Sequence, residues 1–145
     1  ELVLVNLHLE AYDDGAGKIA QTQQLMGLLQ EEYEKGNYVI AGGDFNQTFP
    51  GSLDIYPMID PEYWTPGVLE KSSLPAGFSY VYDLAAPSCR LLSQPYNPAD
   101  TAHTQYYIID GFIVSPNVTV SEVSTLDLSF ANSDHNPVCM SVTLE

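Results

Sequence analysis

Two short apolar runs, ELVLVNLHL at residues 1–9 and YVIAG at 38–42, bracket a stretch of different period. From Lys18 to Lys35 the apolar residues Ile19, Leu25, Met26, Leu29 and Tyr33 fall on one side of a helix, which predicts a single buried helical face. Asp13-Asp14-Gly15 reads as its start, because acids suit the positive N-terminal end, and Gly36 reads as its stop. The first run predicts a buried strand with Leu2, Leu4, Leu7 and Leu9 around Val3 and Val5; the second run predicts another. Strand, helix, strand, followed by strands and turns, suits a mixed sheet with a helix on one face, an α/β arrangement.

The later chain supports that arrangement. Residues 106–114, YYIIDGFIV, form a third apolar run. After the Ser115-Pro116-Asn117 turn, Val118, Val120 and Val123 predict a strand, and Val138, Met140, Val142 and Leu144 predict another. Between Thr48 and Pro98 the chain is rich in Pro, Gly, Tyr and Ser. It reads as long loops with short elements, one of them a strand near FSYVYDL at 78–84. Long structured loops on compact domains often select substrate. The expectation is one helix and about six strands, with no internal repeat.

Composition narrows the function. At 145 residues with 45% apolar and 16% charged residues, the chain is one domain's worth of ordinary globular sequence. No apolar run approaches the ~20 residues of a membrane helix. Lys18, Lys35, Lys71 and Arg90 stand against 19 acids, a net charge of −15. That sign argues against a long nucleic acid as partner, and the absence of a basic cluster argues against an anionic membrane surface. Cys89 and Cys139 lack CxxC spacing, which argues against zinc and redox motifs; a disulfide in an oxidising compartment and two separate thiols both stay open. The sequons at Asn46 and Asn117 carry little weight.

Polar residues at the strand ends carry the chemistry. His8 ends the first strand in NLHLE. Asp44 and Asn46 follow the second in GGDFN, Asp110 interrupts YYIIDGFIV, and Asp134 and His135 open the last strand in NSDHNPV. A buried charge or imidazole must find partners. Each residue alone has a structural explanation: a satisfied core histidine, a turn cap, a bulge residue. Brought together at one end of a sheet, they would satisfy one another and form a site.

The set NLHLE, GGDFN, YYIIDGFIV and NSDHNPV, in that order, resembles the endonuclease/exonuclease/phosphatase superfamily of metal-dependent phosphoesterases. The resemblance spans nearly the whole chain and is specific to the superfamily, not to a member. It implies the C-terminal half of a four-layer α/β sandwich, a mixed, mostly antiparallel sheet with helix on one face, over residues 1–145. By this resemblance Asp44 activates or orients the attacking water, and Asn46 holds that water or a phosphate oxygen. His135 binds a non-bridging phosphate oxygen, Asp110 fixes the His135 ring, and His8 is a second imidazole facing phosphate. Asp134 lies beside the metal, with Asp44 as a further ligand, and Mg²⁺ (or Mn²⁺) is the expected ion because the implied donors are hard oxygens.

The family's N-terminal half, with its metal-ligand Glu, has no counterpart here; Glu1 and Glu10 do not stand in that context. The expectations are weak metal binding by these residues alone, and an apolar sheet face that the missing half or another copy must cover. A small or lipid-linked phosphoester is the favoured substrate; a Mg²⁺-dependent endonuclease and a non-catalytic domain on the same fold are the rivals. Tyr56, Tyr63, Trp64, Phe78, Tyr80, Tyr82 and Tyr96 could stack on a substrate ring or simply pack the loop, and His103 reads as an exposed loop histidine.

Overall fold

The structure, a computed structural model, describes residues 1–12 and 15–145. Strand β1 (Leu2–His8), helix α1 (Ala16–Glu34) and strand β2 (Tyr38–Asp44) open the chain. They form a β-α-β unit in which β1 and β2 pair in parallel from Leu2↔Tyr38 to His8↔Asp44. Of the predicted helix start, Asp13 and Asp14 lie outside the described residues; Gly15 takes the left-handed conformation expected of a glycine at a helix boundary.

Beyond β2 come two short ladders. In one, β3 (Gln47–Thr48) pairs with β4 (Gly67–Val68), with helix α2 (Ser52–Ile55) between them. In the other, β6 (Cys89–Arg90) pairs with β7 (Tyr106–Tyr107). Strands β5 (Ser79–Val81) and β8 (Asp110–Val114) complete the main sheet, in the order β1-β2-β8-β5. Within this sheet only the β1–β2 pair is parallel; β2–β8 and β8–β5 are antiparallel. Strands β9 (Val118–Thr125) and β10 (Val138–Leu144) form a separate antiparallel ribbon with a bulge at Ser141/Val142. The α/β class and the mixed, mostly antiparallel sheet are as expected.

One face of the main sheet is sealed by α1. Leu25, Met26 and Leu29 pack with Val39, Ala41 and Ile113, and the loop aromatics Phe45, Phe49 and Phe78 extend the same cluster. The other face is covered only in part. The β9–β10 ribbon lays Val118, Val123, Met140 and Val142 over Ile40 and Val114. It does not bury the same face of β1, where Leu2 is 46% and Leu4 69% exposed. The prediction of a buried first strand therefore needs correction: β1 is the sheet's edge, and its residues alternate between the helix side and an open side. Ile19, predicted on the buried helix face, is 59% exposed, and Lys18 and Thr22 are buried instead. The buried stripe is rotated because Lys18 lies over the Trp64 ring, 5.7 Å from its centroid, and Thr22 accepts a hydrogen bond from Gln47.

The run 106–114 is not one strand. The chain breaks at Ile108–Ile109, whose carbonyls turn to accept from Phe49 and Phe45. The buried Ser88 Oγ accepts from both Ile109 N and Asp110 N, satisfying the amides that the break would orphan. Tyr106–Tyr107 thus joins one ladder and Asp110–Val114 the main sheet.

Candidate active site

The strand register builds the first three members of the site. His8 is opposite Asp44, and Asp44 is opposite Asp110. Directly opposed residues share a sheet face. The row His8–Asp44–Asp110 therefore crosses three strands at one end of the sheet, on the face away from α1. Glycines bring the strands together there. A side chain at Gly43, whose φ is 144°, would place its Cβ 2.0 Å from the Leu7 carbonyl oxygen. Only glycine admits that approach.

Past Asp44 the chain turns sharply. Asn46 adopts φ 48°, a left-handed conformation that Asn tolerates better than most residues. Its backbone N–H donates to Asp44 Oδ1 at 2.8 Å, and its side-chain Nδ2 donates to the Leu9 carbonyl at 2.8 Å. The exits of β1 and β2 are thereby tied together. Asn46 is buried, and one of its two amide hydrogens is spent on Leu9. Its sequon is not displayed to solvent.

His135 reaches the row from the far end of the chain. Residues 134–136 lie against β6: Arg90 N donates to the Asp134 carbonyl, Asn136 N donates to the Ser88 carbonyl, and Cys89 and His135 form a bridge. This places His135 Nδ1 2.9 and 3.1 Å from the two Asp110 carboxylate oxygens. His135 Nε2 lies 3.8 Å from Asp44 Oδ2, and His8 Nε2 approaches the same oxygen at 3.5 Å. Burial works against charge on His135, but the Asp110 hydrogen bond and charge outweigh it, with a further push from Cys89, and its pKa is pushed up to about 11. Burial likewise raises the Asp44 carboxyl; the Asn46 amide opposes the rise, Asp110's charge adds to it, and the two imidazoles oppose it. The pair is therefore an imidazolium held charged beside a carboxylate of raised proton affinity.

A cavity of about 600 Å³ opens over these groups, with His8, Asp44, Asn46, Asp134 and His135 in its wall. All six sequence-predicted residues thus converge, Asp110 through its bond to His135. Asp44 and Asp134 do not share a close group: among the described residues the metal-capable groups are Asp44–Asp110–His135 and Cys89–Asp134–His135. A hard ion such as Mg²⁺ commonly takes one or two protein carboxylates and fills its shell with water and phosphate oxygens. Asp44 and Asp134 fit that partial role; Asp110 is committed to His135 by both oxygens.

Three other residues belong to the site. Ser88 orients Asp110 through its backbone amide. Cys89 and Arg90 line the cavity. Arg90 is the only arginine of the chain, and its Nε is buried without a hydrogen-bond partner among the described residues. A lone arginine beside a cysteine in a strongly acidic chain was the available signal. Of the loop aromatics, Tyr56, Phe78, Tyr80 and Tyr82 pack the core, and Trp64 lines the cavity. His103 is exposed, as expected, and is paired with Asp100. Both cysteines are free thiols, Cys89 buried and Cys139 exposed.

No family model and no curated protein matches the sequence. Solved structures do match the fold. A humanized D. rerio TDP2 carrying 14 mutations aligns over 98% of this chain and 55% of its own, at 19% identity and TM-score 0.54. Truncated Caenorhabditis elegans TDP2 aligns over 94% of this chain and 53% of its own, at 16% identity and TM-score 0.56. A longer C. elegans TDP2 structure is covered over 40%. At these identities the likeness is one of fold. It is the endonuclease/exonuclease/phosphatase fold that the sequence motifs resemble, and the chain spans about half the length of these structures.

Proposed function

We propose that this chain supplies the general base and the phosphate-binding imidazole of a metal-dependent phosphoesterase, which hydrolyses a phosphodiester or phosphomonoester by attack of water on phosphorus. The observation that supports the reading best is the His8–Asp44–Asp110 row with His135 docked on it. Asp44 takes the proton of the attacking water. Its Oδ1 is held by the Asn46 amide, and its raised proton affinity makes it a stronger base than an ordinary carboxylate. His135, kept charged by Asp110, donates from Nε2 to a non-bridging phosphate oxygen as charge develops there. His8 contacts the phosphate from the other side, and the remaining Asn46 amide hydrogen steadies water or phosphate. Mg²⁺ (or Mn²⁺), held by Asp44 or Asp134, would neutralise phosphate charge as a Lewis acid.

The open face of the sheet belongs to the same proposal. A cavity of about 680 Å³ runs along it from Leu4 and Phe112 to Asp110 and His135. We read it as the seat of a second sheet, carried by the family's N-terminal half or another copy. Covering it buries Leu4 and dries the site in one step, and the N-terminal half would also bring the family's metal-ligand Glu. The 145 residues alone then bind metal weakly and turn over slowly.

Net charge favours a small or lipid-linked phosphoester. One observation favours an endonuclease instead: Tyr12, 85% exposed, joins Trp64 at the cavity and offers a ring to stack on a base. The test uses the protein completed with its N-terminal half, with Mg²⁺ and three substrates: bis(4-nitrophenyl) phosphate, 4-nitrophenyl phosphate and plasmid DNA. Turnover of a small ester, reduced ~10²–10⁴-fold in Asp44→Ala, supports the reading. Cleavage of DNA alone moves it to the endonuclease. Failure on all three leaves a non-catalytic domain on this fold.

A further inference from the structure

One side chain at the cavity has no part in that hydrolysis. Cys89 is buried, and its Sγ lies 3.5 Å from His135 Nε2. The contact is fixed by backbone: the Cys89–His135 bridge and the Arg90–Asp134 hydrogen bond hold the two segments side by side. The Asp134 carboxylate joins them, and one ligand atom from each of the three residues lies within 4.8 Å of the others.

This donor set is chemically different from the rest of the site. Asp110 bonds His135 Nδ1, so Nε2 is the nitrogen left to offer a lone pair. Carboxylate backing of that kind is what metal-binding histidines use to set tautomer and ring orientation. Tetrahedral zinc, with bonds of ~2.3 Å to sulfur and ~2.0 Å to nitrogen, holds those two atoms about 3.5 Å apart. The observed 3.5 Å matches. Mg²⁺ prefers oxygen and gains nothing from a thiolate. We infer that Cys89, Asp134 and His135 form a site for a thiophilic divalent cation, Zn²⁺ above all, with the fourth position open to the cavity. Binding forms Zn–S, Zn–N and Zn–O bonds and releases the thiol proton, and the Nε2 proton of charged His135, to solvent. The absence of CxxC spacing does not speak against this site, because its ligands come from two distant segments, β6 and residues 134–135.

An occupied site withdraws His135 from phosphate, so Zn²⁺ inhibits hydrolysis. That consequence rests on the proposed function; the binding does not. The test is cobalt substitution in a Cys139→Ser background, which removes the other thiol. One equivalent of Co²⁺ should produce a thiolate-to-cobalt charge-transfer band with the intense visible bands of tetrahedral Co²⁺, and Zn²⁺ should bleach both. Cys89→Ser should abolish the charge-transfer band. Asp110→Asn should keep the band but weaken Zn²⁺ binding ~10–100-fold. Asp134→Asn, which leaves the buried thiol alone, should also weaken Zn²⁺. A saturated Co²⁺ complex without the band, or Zn²⁺ affinity unchanged in both Cys89→Ser and Asp134→Asn, overturns the inference. The band in a protein without phosphoesterase activity supports the metal site while removing the hydrolytic reading.

Discussion

The two faces of the main sheet have the same backbone and opposite fates. On the helix side, Leu29, Val39 and Ala41 are wholly buried within the chain's own core. On the other side, the β9–β10 ribbon covers Ile40 and Val114 but leaves Leu2 and Leu4 in solvent. The polar row His8–Asp44–Asp110 lies on this more open face. One face holds the fold together; the other stays partly open beside the candidate site.

The largest contrast should appear in stability. Leu29→Ala removes a fully buried side chain and should cost about 2–5 kcal/mol in urea denaturation. A smaller effect of opposite sign should come from the open face. Burial raises the pKa of the Asp44 carboxyl, so its charge works against folding, and Asp44→Asn should raise stability by about 0.5–2 kcal/mol while removing the hydrolysis proposed for the completed protein. Loss of stability instead would mean that Asp44 is a structural member of the row.

The His135–Asp110 pair gives a pH signature on the same face. The folded pKa of His135 lies above its ordinary 6.5, at about 11. In that window the native state keeps a proton that the unfolded chain has lost. The pair's contribution is thus complete below pH 6.5 and declines as pH rises towards the folded value. The urea midpoint should fall from pH 6.5 to about 7.5, a range kept below most thiol and phenol titration, and His135→Asn should flatten that fall. An equal slope in the variant would place the proton uptake elsewhere. The smallest effect is Leu4→Ser, expected within about 0.5 kcal/mol of wild type. A cost near that of Leu29→Ala would mean the open face is already covered in solution.

The difference between the faces also marks what the sequence could tell. Period alone placed β1, α1, β2, β9 and β10, because each buries one side against something. Period could not say what lies on the other side of Leu2 and Leu4, since an exposed apolar residue looks the same in sequence as a covered one. The break at Ile108–Ile109 was invisible for a related reason: it depends on a hydroxyl 21 residues away, at Ser88. The site was more legible than the fold's details. His8, Asp44, Asp110, Asp134 and His135 stand out because each interrupts, ends or opens an apolar run. Cys89 and Arg90 stand in an aperiodic loop, where nothing local announces that residues 134–136 will lie against them.

β1 has one further property. As the first strand in the sheet order it has no paired neighbour on its outer side among the described residues, so its free N–H and C=O groups form a template for strand addition. With Leu2 and Leu4 beside that template, concentrated samples of the chain by itself will stick edge to edge. Soluble yield then becomes a gauge of how well that edge is shielded.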